Sequence, residues 1–215
     1  MNFIDIHTHS PQQFPKTLSI INTYPNNSTP ENSPFSVGIH PWHISKGNLE
    51  LDFKNVEKKI KVKNCLAIGE CGLDKLSSTS YDLQISVFKK HVLLSEKYNK
   101  PLIIHCVKAF NDIIHLKKAY KTKQQWIIHG FNKNKQIATD LIKNNINISI
   151  GASILKNNKL QNTIKGIPEE YIFLETDDSN ESIKNIYNKF AELKEKDLTL
   201  VKQRITENFN RTFIV

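Results

Sequence analysis

The chain contains 215 residues, of which 39% are hydrophobic and 24% charged, and its formal net charge is +9. This length suffices for one domain with a buried core, and we predict a single domain over residues 1–215. No apolar stretch reaches the roughly 18 residues of a membrane span, and the amino terminus lacks the basic and then apolar segments of a signal peptide. Cys65, Cys71 and Cys106 lie in apolar runs without zinc-site spacing, which predicts reduced core thiols. The sequence therefore indicates neither export nor membrane anchoring, and we predict a cytoplasmic protein.

The positive charge is weak evidence for a nucleic-acid site. It comes almost entirely from lysines spread over predicted helix faces, and the only arginines are Arg204 and Arg211. Base and phosphate recognition usually combines basic with aromatic side chains, and no such interleaving is seen. An AT-rich genome produces the same abundance of Lys, Asn and Ile, so charge alone does not assign a function.

Short apolar runs alternate with segments of helical period along the whole chain, the pattern of a parallel α/β sheet. One amphipathic helix is predicted over residues 80–99 and another over about 197–208, after which Phe209 and Phe213 should pack on the sheet. The candidate strands number eight, as in a TIM-like (β/α)8 barrel, and lie at about 2–8, 17–24, 35–40, 65–70, 101–106, 125–129, 146–151 and 171–176.

The front of this barrel is predicted to be shortened or open. About 250 residues are typical of the fold, and this chain is shorter. Residues 10–35 leave room for the strand TLSIINTY, but its flanks SPQQFPK and PNNSTPENSP are too rich in Pro, Asn and Ser for two full helices. Farther along, Asn132 and residues 178–180 are expected to cap the helices that follow strands six and eight.

Several of the apolar runs end in a potential metal ligand. His7 and His9 stand two residues apart on a strand and therefore point the same way, as two imidazoles sharing one ion require. Glu70 ends an apolar strand, and its carboxylate needs a partner that offsets the cost of burying the charge. Parallel sheets hold their chemistry at the carboxyl ends of the strands, so these groups should converge and hold two divalent cations. The full predicted set is His7, His9, Glu70, His105, His129 and Asp177.

Seven motifs of the chain resemble those of the TatD family of metal-dependent hydrolases, in order and at plausible spacing. They are HTH at 7–9, GIHPW at 38–42, GECGLD at 69–74, PLIIHCVKA at 101–109, IIHGF at 127–131, LETD at 174–177 and NFNRTF at 208–213. The resemblance covers nearly the whole chain and implies a (β/α) barrel, a two-metal site and nuclease activity on phosphodiesters. It also implies that Glu70 bridges the two ions and that Asp177 is both ligand and general base.

With this resemblance, the ligands divide into two sets that share Glu70. His7, His9, Glu70 and Asp177 are assigned to one ion, and Glu70, His105 and His129 to the other. Four imidazoles favour Zn²⁺ or Mn²⁺, although Mg²⁺ is also considered. Two divalent cations and only two carboxylates leave the site with a net positive charge, which favours DNA or another phosphodiester as the substrate. We expect no obligate protein partner.

The remaining histidines and one acid receive lesser roles. His40 is placed at the edge of the site, where it could contact a phosphate or support a ligand. Glu175 should point away from the site and is kept as structural. His43, His91 and His115 lack any motif, and the last two are predicted to be surface residues on amphipathic helices.

The loops that would contact substrate depart from the family pattern. The usual Arg-Asp after the fifth-strand histidine is replaced by Cys106, Val107 and Lys108, and LETD continues as DSNESI. The lysines expected to replace the missing phosphate contacts are Lys75, Lys108 and Lys133. Two alternatives to a nuclease stay open: a small-molecule metallohydrolase acting on an amide, lactone or phosphomonoester, and a metal-binding scaffold without catalysis.

Overall fold

Eight strands form one parallel sheet in a computed structural model that describes residues 2–10 and 17–213. Each strand pairs with the next along the chain, so the sequence order is also the spatial order. All eight predicted strands are present, and the predicted fold class is confirmed. The strands are β1 (Phe3–Thr8), β2 (Thr17–Thr23), β3 (Phe35–Val37), β4 (Cys65–Asp74), β5 (Leu102–Val107), β6 (Trp126–Ile128), β7 (Ile146–Ile150) and β8 (Ile172–Leu174).

The sheet curls until its first and last strands meet, which makes a nearly closed barrel. Thr8 forms a parallel bridge with Asp177, just beyond β8. The Asp177 amide donates to the His7 carbonyl at 2.9 Å, and the His9 amide donates to the Asp177 carbonyl at 3.1 Å. These contacts form a seam between β1 and the residues that follow β8. The seam fixes the backbone of three predicted ligands relative to one another.

Side chains complete the seam below this bridge. The Thr176 hydroxyl donates to Asp5 Oδ2 at 2.6 Å, and the Thr176 amide donates to Asp5 Oδ1 at 3.0 Å. The Tyr187 hydroxyl donates to the Ile4 carbonyl at 3.0 Å and accepts from the Ile4 amide at the same distance. Because these groups are all buried, each polar atom needs such a partner, and the pairing ties β1 to the strands and helix beside it.

Seven α-helices cover the outside of the barrel in the described residues. The helix predicted at 80–99 is observed at Tyr81–Tyr98. The last helix extends beyond the predicted end at 208 to include Phe209 and Phe213, which stack on each other, and Phe213 packs against Phe173. The helices are α1 (Leu49–Ile60), α2 (Tyr81–Tyr98), α3 (Phe110–Tyr120), α4 (Lys135–Lys143), α5 (Asn158–Lys165), α6 (Ile183–Lys194) and α7 (Leu198–Phe213). None of these helices combines the length and hydropathy that a membrane span requires.

The predicted caps of two helices were wrong. The side chain of Asn134, not Asn132, accepts from the third residue's amide at the start of α4. The side chain of Ser182, not one of residues 178–180, does the same for α6. Both loops are longer than expected, because the chain leaves each strand at the site and runs a few residues further before a helix starts.

No helix interrupts the chain between β2 and β3, as predicted for the front of the barrel. Residues 24–34 form an irregular loop that neighbouring side chains hold in place. Asn64 Nδ2 donates to the carbonyls of Pro30 and Ser33, at 2.9 and 2.8 Å, and Lys59 Nζ donates to the Tyr24 carbonyl at 2.6 Å. Part of the loop between β1 and β2, residues 11–16, lies outside the described residues, so that half of the prediction is untested.

The core consists of the apolar runs that predicted the strands. Ile103, Ile127 and Ile148 on three successive strands are fully buried, as expected for a parallel sheet covered on both faces. Cys65, Cys71 and Cys106 are buried as free thiols, as predicted.

His91 is a core residue, so the prediction that it lies on the surface was wrong. It lies on the inner face of α2, where its Nε2 accepts from the Ile39 amide at 3.0 Å and its Nδ1 lies 2.9 Å from the Val87 carbonyl. Burial lowers the pKa of His91 to about 4, because charging the ring there would remove it from water. The ring thereby anchors the segment that leads into His40.

Acidification should therefore destabilise the protein in part through His91. The unfolded chain takes up a proton near the ordinary histidine pKa, while the folded ring resists it down to about pH 4. The free energy of unfolding should consequently fall by about 2 kcal/mol between pH 7 and pH 5 through this group alone. Urea titrations of the wild type and His91→Gln at both pH values measure it, because Gln keeps a donor and an acceptor but does not titrate. His115→Gln, at an exposed position on α3, is the control and should behave as the wild type. An equal pH effect in wild type and His91→Gln would contradict the assignment.

Opening the seam bond should also lower stability. Thr176→Val keeps the side-chain shape but leaves the buried Asp5 carboxyl without its hydroxyl donor, at a cost of about 1–3 kcal/mol. Thr212→Val is a matched control, because Thr212 is buried and its hydroxyl has no hydrogen-bond partner among the described residues. Chemical denaturation should show a large loss for the first variant and almost none for the second. Equal losses would mean that the hydrogen bond between Thr176 and Asp5 makes no specific contribution to stability.

Candidate metal centre

The six predicted ligands meet at the carboxyl ends of the strands. His7 lies at the end of β1 and His9 just after it, and Glu70 and His105 lie on the neighbouring strands β4 and β5. His129 follows β6, and Asp177 follows β8. The cavity at this end of the barrel has a volume of about 460 Å³. It is lined by His9, Tyr24, His40, Trp42, His43, Glu70, His105, His129, Asp177 and Asp178.

Glu70 is the centre of the arrangement, with imidazoles around both of its oxygens. Its Oε1 lies 2.7 Å from His129 Nε2, 2.9 Å from His105 Nδ1 and 3.0 Å from His40 Nε2. Its Oε2 lies 3.5 Å from His7 Nε2 and 3.6 Å from His9 Nε2. The two oxygens of one carboxylate thus face two different groups of histidines.

The backbone of β4 places Glu70 and His105 side by side. Gly72 has a φ of +152°, and a β-carbon there would lie 2.0 Å from the His105 carbonyl oxygen. Only glycine permits this close approach of the two strands. The Glu70 amide also donates to Asn22 Oδ1 at 2.9 Å, so β2 holds the same residue from the other side.

Asp177 reaches the site from an unusual backbone conformation. Its φ is +56°, in the left-handed region that aspartate tolerates better than most residues. The seam holds it there, and its Oδ1 lies 3.5 Å from His7 Nε2 and 3.4 Å from His9 Nε2. The carboxylates of Glu70 and Asp177 therefore both face the same two imidazoles.

The charges of this cluster depend on one another. Burial opposes the ionisation of Glu70, but the positive His129 beside it and hydrogen bonds from His105, His129 and His40 outweigh burial and hold the pKa of Glu70 well below its usual value. Asp177 and Glu70 in turn raise the pKa of His9 to about 9. The pocket thus keeps its carboxylates ionised and collects positive charge around them.

A family model described as TatD related DNase matches residues 2–214 of this chain. The chain belongs to that family. A metal-dependent hydrolase of Buchnera aphidicola is 32% identical over 152 residues, covering 66% of this chain and 58% of the relative. A protein of Enterocytozoon bieneusi named as a homologue of the deoxyribonuclease TATDN1 is 35% identical, covering 65% of this chain and 53% of the relative. The chain thus spans little more than half the length of these two relatives.

Two further comparisons concern a relative that is named as a nuclease and a solved structure of similar fold. A human protein named as the 3′-5′ RNA nuclease TATDN2 is 29% identical, covering 65% of this chain and 19% of the relative. The crystal structure of YJJV, a TatD homologue from Escherichia coli, superposes with a TM-score of 0.83 at 18% identity, covering 99% of this chain and 98% of that one. The low identity means that the second comparison supports the fold alone.

The donor set of this TatD-family protein fits a divalent cation. The Nε2 atoms of His7 and His9 each lie between 3.4 and 3.6 Å from Glu70 Oε2 and from Asp177 Oδ1. Ligands about 2.1 Å from a tetrahedral ion stand roughly 3.4 Å apart, and these separations match that value. His7 is completely buried, and neither of its ring nitrogens has a hydrogen-bond partner in the described part of the chain. A cation would satisfy the Nε2 of that ring.

The second group of donors differs from the predicted one. Among the residues that the structure describes, three sets of ligand atoms lie close enough together to hold an ion: His7 with His9 and Glu70, His40 with Glu70 and His105, and His7 with His129 and Asp177. His40 was predicted at the edge of the site, but it is buried and contacts the same Glu70 oxygen as His105. The motif GIHPW was the signal, because it ends β3 at the same face of the sheet as the other ligands.

Two acids stand behind the histidines. Asp74 Oδ2 lies 3.2 Å from His105 Nε2, on the far side of the ring from Glu70, and sequence reasoning did not assign it a role. Its signal was its place in the motif GECGLD, at the end of β4. Glu175, predicted to be structural, is fully buried, accepts from the Gly130 amide and lies 3.8 Å from His129 Nδ1. Such carboxylates orient imidazole ligands and raise their basicity.

The three lysines proposed for phosphate contacts do not line the cavity. Lys75 Nζ is paired with Asp112 at 2.7 Å and lies over the Tyr81 ring. Lys108 and Lys133 are exposed on the loops after β5 and β6. These positions are near the carboxyl ends of the strands but outside the pocket, so they would meet only a substrate that extends beyond it.

Removing the shared carboxylate should release metal. Glu70→Gln halves the negative charge of the cluster, and we expect bound Zn²⁺ after dialysis to fall at least tenfold, as measured by atomic emission. Asp52→Asn is the control, because Asp52 is equally buried but pairs with Asn26 outside the ligand groups. Retention of the wild-type metal content by Glu70→Gln would show that the cluster is not a metal centre.

Proposed function

We propose that this protein is a metal-dependent phosphodiesterase that hydrolyses DNA with two divalent cations. One observation carries the proposal: the buried Glu70 carboxylate turns one oxygen to His7 and His9 and the other to His40, His105 and His129. A single carboxylate with an imidazole group on each oxygen is suited to bridging a pair of ions. Sites with two ions are common in enzymes that cleave phosphate esters.

The cations would be divided between the two faces of Glu70. His7, His9 and Asp177 would hold one ion together with Glu70 Oε2. His105 and His129, joined by His40, would hold the other together with Glu70 Oε1. An imidazole-rich donor set favours Zn²⁺ or Mn²⁺ over Mg²⁺. When bound, such ions acidify a water molecule toward neutral pH and offset the charge of the phosphate and of the leaving oxygen.

Asp177 would act as the general base. Its side chain is 32% exposed, whereas that of Glu70 is 4% exposed, so Asp177 is the carboxylate that an entering water molecule can reach. His7 and His9 outweigh the effect of burial and lower the pKa of Asp177, which keeps it ionised and able to accept a hydrogen bond from that water. The seam holds its backbone, so the carboxylate stays oriented toward the site as it accepts the proton.

Nucleic acid is the substrate that the comparisons support. Relatives are named as a deoxyribonuclease homologue and as an RNA nuclease, and we favour DNA as the predicted substrate. The formal charge of +9 would attract either polymer. The lysines outside the pocket, Lys75, Lys108 and Lys133, would contact phosphates away from the cleaved bond. A cytoplasmic location also stays a prediction.

One observation favours a small phosphoester or amide instead. The cavity of about 460 Å³ has the size of a small-molecule site, and the candidate lysines do not line it. Small phosphomonoesters and amides are therefore assayed beside DNA and RNA.

The proposal is tested with metal-free protein to which Zn²⁺, Mn²⁺ or Mg²⁺ is added, on an end-labelled single-stranded DNA oligonucleotide. Cleavage should require metal, and Asp177→Asn should lower kcat at least a hundredfold because the amide cannot accept the proton of the water. Asp140→Asn, on the outer helix α4, is the control and should cleave as the wild type does.

The possible outcomes separate the alternatives. Metal-restored cleavage of a small phosphomonoester or amide, with none of DNA or RNA, would replace the nuclease by a small-molecule hydrolase. Tight metal binding without hydrolysis of any of these substrates would leave a metal-binding scaffold. Cleavage that survives Asp177→Asn would remove Asp177 from its proposed role.

A further inference from the structure

Trp42 is a large apolar side chain left open to solvent at the mouth of the site. Its exposed fraction is 59%, although it lies in the segment that follows the buried His40 and lines the cavity. Exposed indoles are costly unless they contact something, and an exposed aromatic beside a cavity often marks a binding surface.

The indole is also held firmly in its exposed position. Its Nε1 donates to Asp74 Oδ2 at 2.7 Å, and Asp74 is itself buried. Its amide donates to His40 Nδ1 at 3.1 Å, within a short 3₁₀ turn at Pro41–His43. The ring meets His40 and His105 edge to face, with centroids 4.8 and 5.5 Å apart. A side chain fixed at its polar edge and against two rings presents a preorganised surface.

A second exposed apolar residue shares the anchor of Trp42, and a second aromatic ring lines the cavity. Leu76 is 66% exposed, and its amide donates to the other oxygen of Asp74 at 2.7 Å, so Leu76 and Trp42 are anchored on one carboxylate. Tyr24 lines the same cavity, next to His9 and His43 at centroid distances of 6.3 and 5.3 Å. The ionic centre around Glu70 is thus bordered by aromatic rings.

From this arrangement we infer that Trp42 is a stacking site for the nucleobase next to the phosphate that is hydrolysed. The inference rests on the proposed function and narrows its substrate to phosphate esters that carry a base, in contrast to bare sugar phosphates. Every base has a flat face that can stack on an aromatic ring, so this stacking site would tolerate any sequence. The bond to Asp74 would keep the ring from turning when the base arrives.

Fluorescence offers a direct test, because the protein has two tryptophans and Trp126 is fully buried. Purified Zn²⁺-loaded protein is titrated with deoxyadenosine 5′-monophosphate and, separately, with 2-deoxyribose 5-phosphate, which lacks the base. Excitation at the red edge of the tryptophan band avoids absorption by adenine. We expect the nucleotide to quench the emission and to bind roughly tenfold or more tightly than the sugar phosphate, the order of magnitude that base stacking supplies.

Three variants assign the signal to one ring. In Trp126→Phe the quenching should persist, and Phe should be tolerated there because the buried Nε1 of Trp126 has no hydrogen-bond partner in the described residues. In Trp42→Phe the quenching should vanish while calorimetry still detects nucleotide binding, because Phe keeps a stacking face. In Trp42→Ala the preference for the nucleotide over the sugar phosphate should be lost. Since Trp42→Ala could disturb His40 and His105, the Phe variant keeps the test valid if the Ala variant does not fold.

Several results would contradict base stacking on Trp42. They are equal affinity for the two ligands, quenching that survives Trp42→Phe, and no response to nucleotide at millimolar concentration. Each is independent of the proposed function, which fails only if no phosphodiester is cleaved with any metal. Cleavage of DNA without base-specific binding would thus reject base stacking on Trp42 alone. Base-specific binding without cleavage would reject the hydrolase and leave Trp42 as part of a nucleotide-binding site.

Discussion

The site depends on the closure of the barrel between its first and last strands. Asp177 is far from His7 and His9 in sequence, and the hydrogen bonds across the seam bring its Oδ1 to 3.5 Å from His7 Nε2 and 3.4 Å from His9 Nε2. The bond between Thr176 and Asp5 secures the same seam one layer deeper. An open sheet would leave the two strands at opposite edges, and the ligand group would not exist. In this protein, therefore, the polar contacts that close the fold also build its chemistry.

Within the closed barrel, the buried charge of Glu70 organises the other ligands. A carboxylate with 4% of its side chain exposed would be strongly destabilising without partners, and here five imidazoles surround it. The acids Asp74 and Glu175 stand on the outer side of two of these rings. The result is a set of alternating carboxylates and imidazoles, in which the imidazoles offset the buried charge of Glu70.

The short front of the barrel accounts for the shape of the cavity. Residues 24–34 form a loop where a regular barrel would carry a helix, and Tyr24 at its start lines the pocket. The turn after β3 carries Trp42 over the opposite side, tied to Asp74. The absence of a helix between β2 and β3 thus leaves aromatic side chains at the rim of an ionic centre. That combination suits a ligand that carries both a phosphate and a flat ring.

By itself, the sequence determined the fold class, the eight strands and the identity of six candidate ligands. Apolar runs that end in His, Glu or Asp identify buried strands whose carboxyl ends meet, and that inference needs only local patterns. Only the tertiary structure decided how the ligands divide, because side-chain distances depend on the closure and tilt of the barrel. It moved His40 from the edge to the centre and buried His91 against Ile39. It also placed Asp74 behind His105 and left the candidate lysines outside the cavity. These features arise from contacts between residues distant in the chain, which periodicity and spacing do not encode.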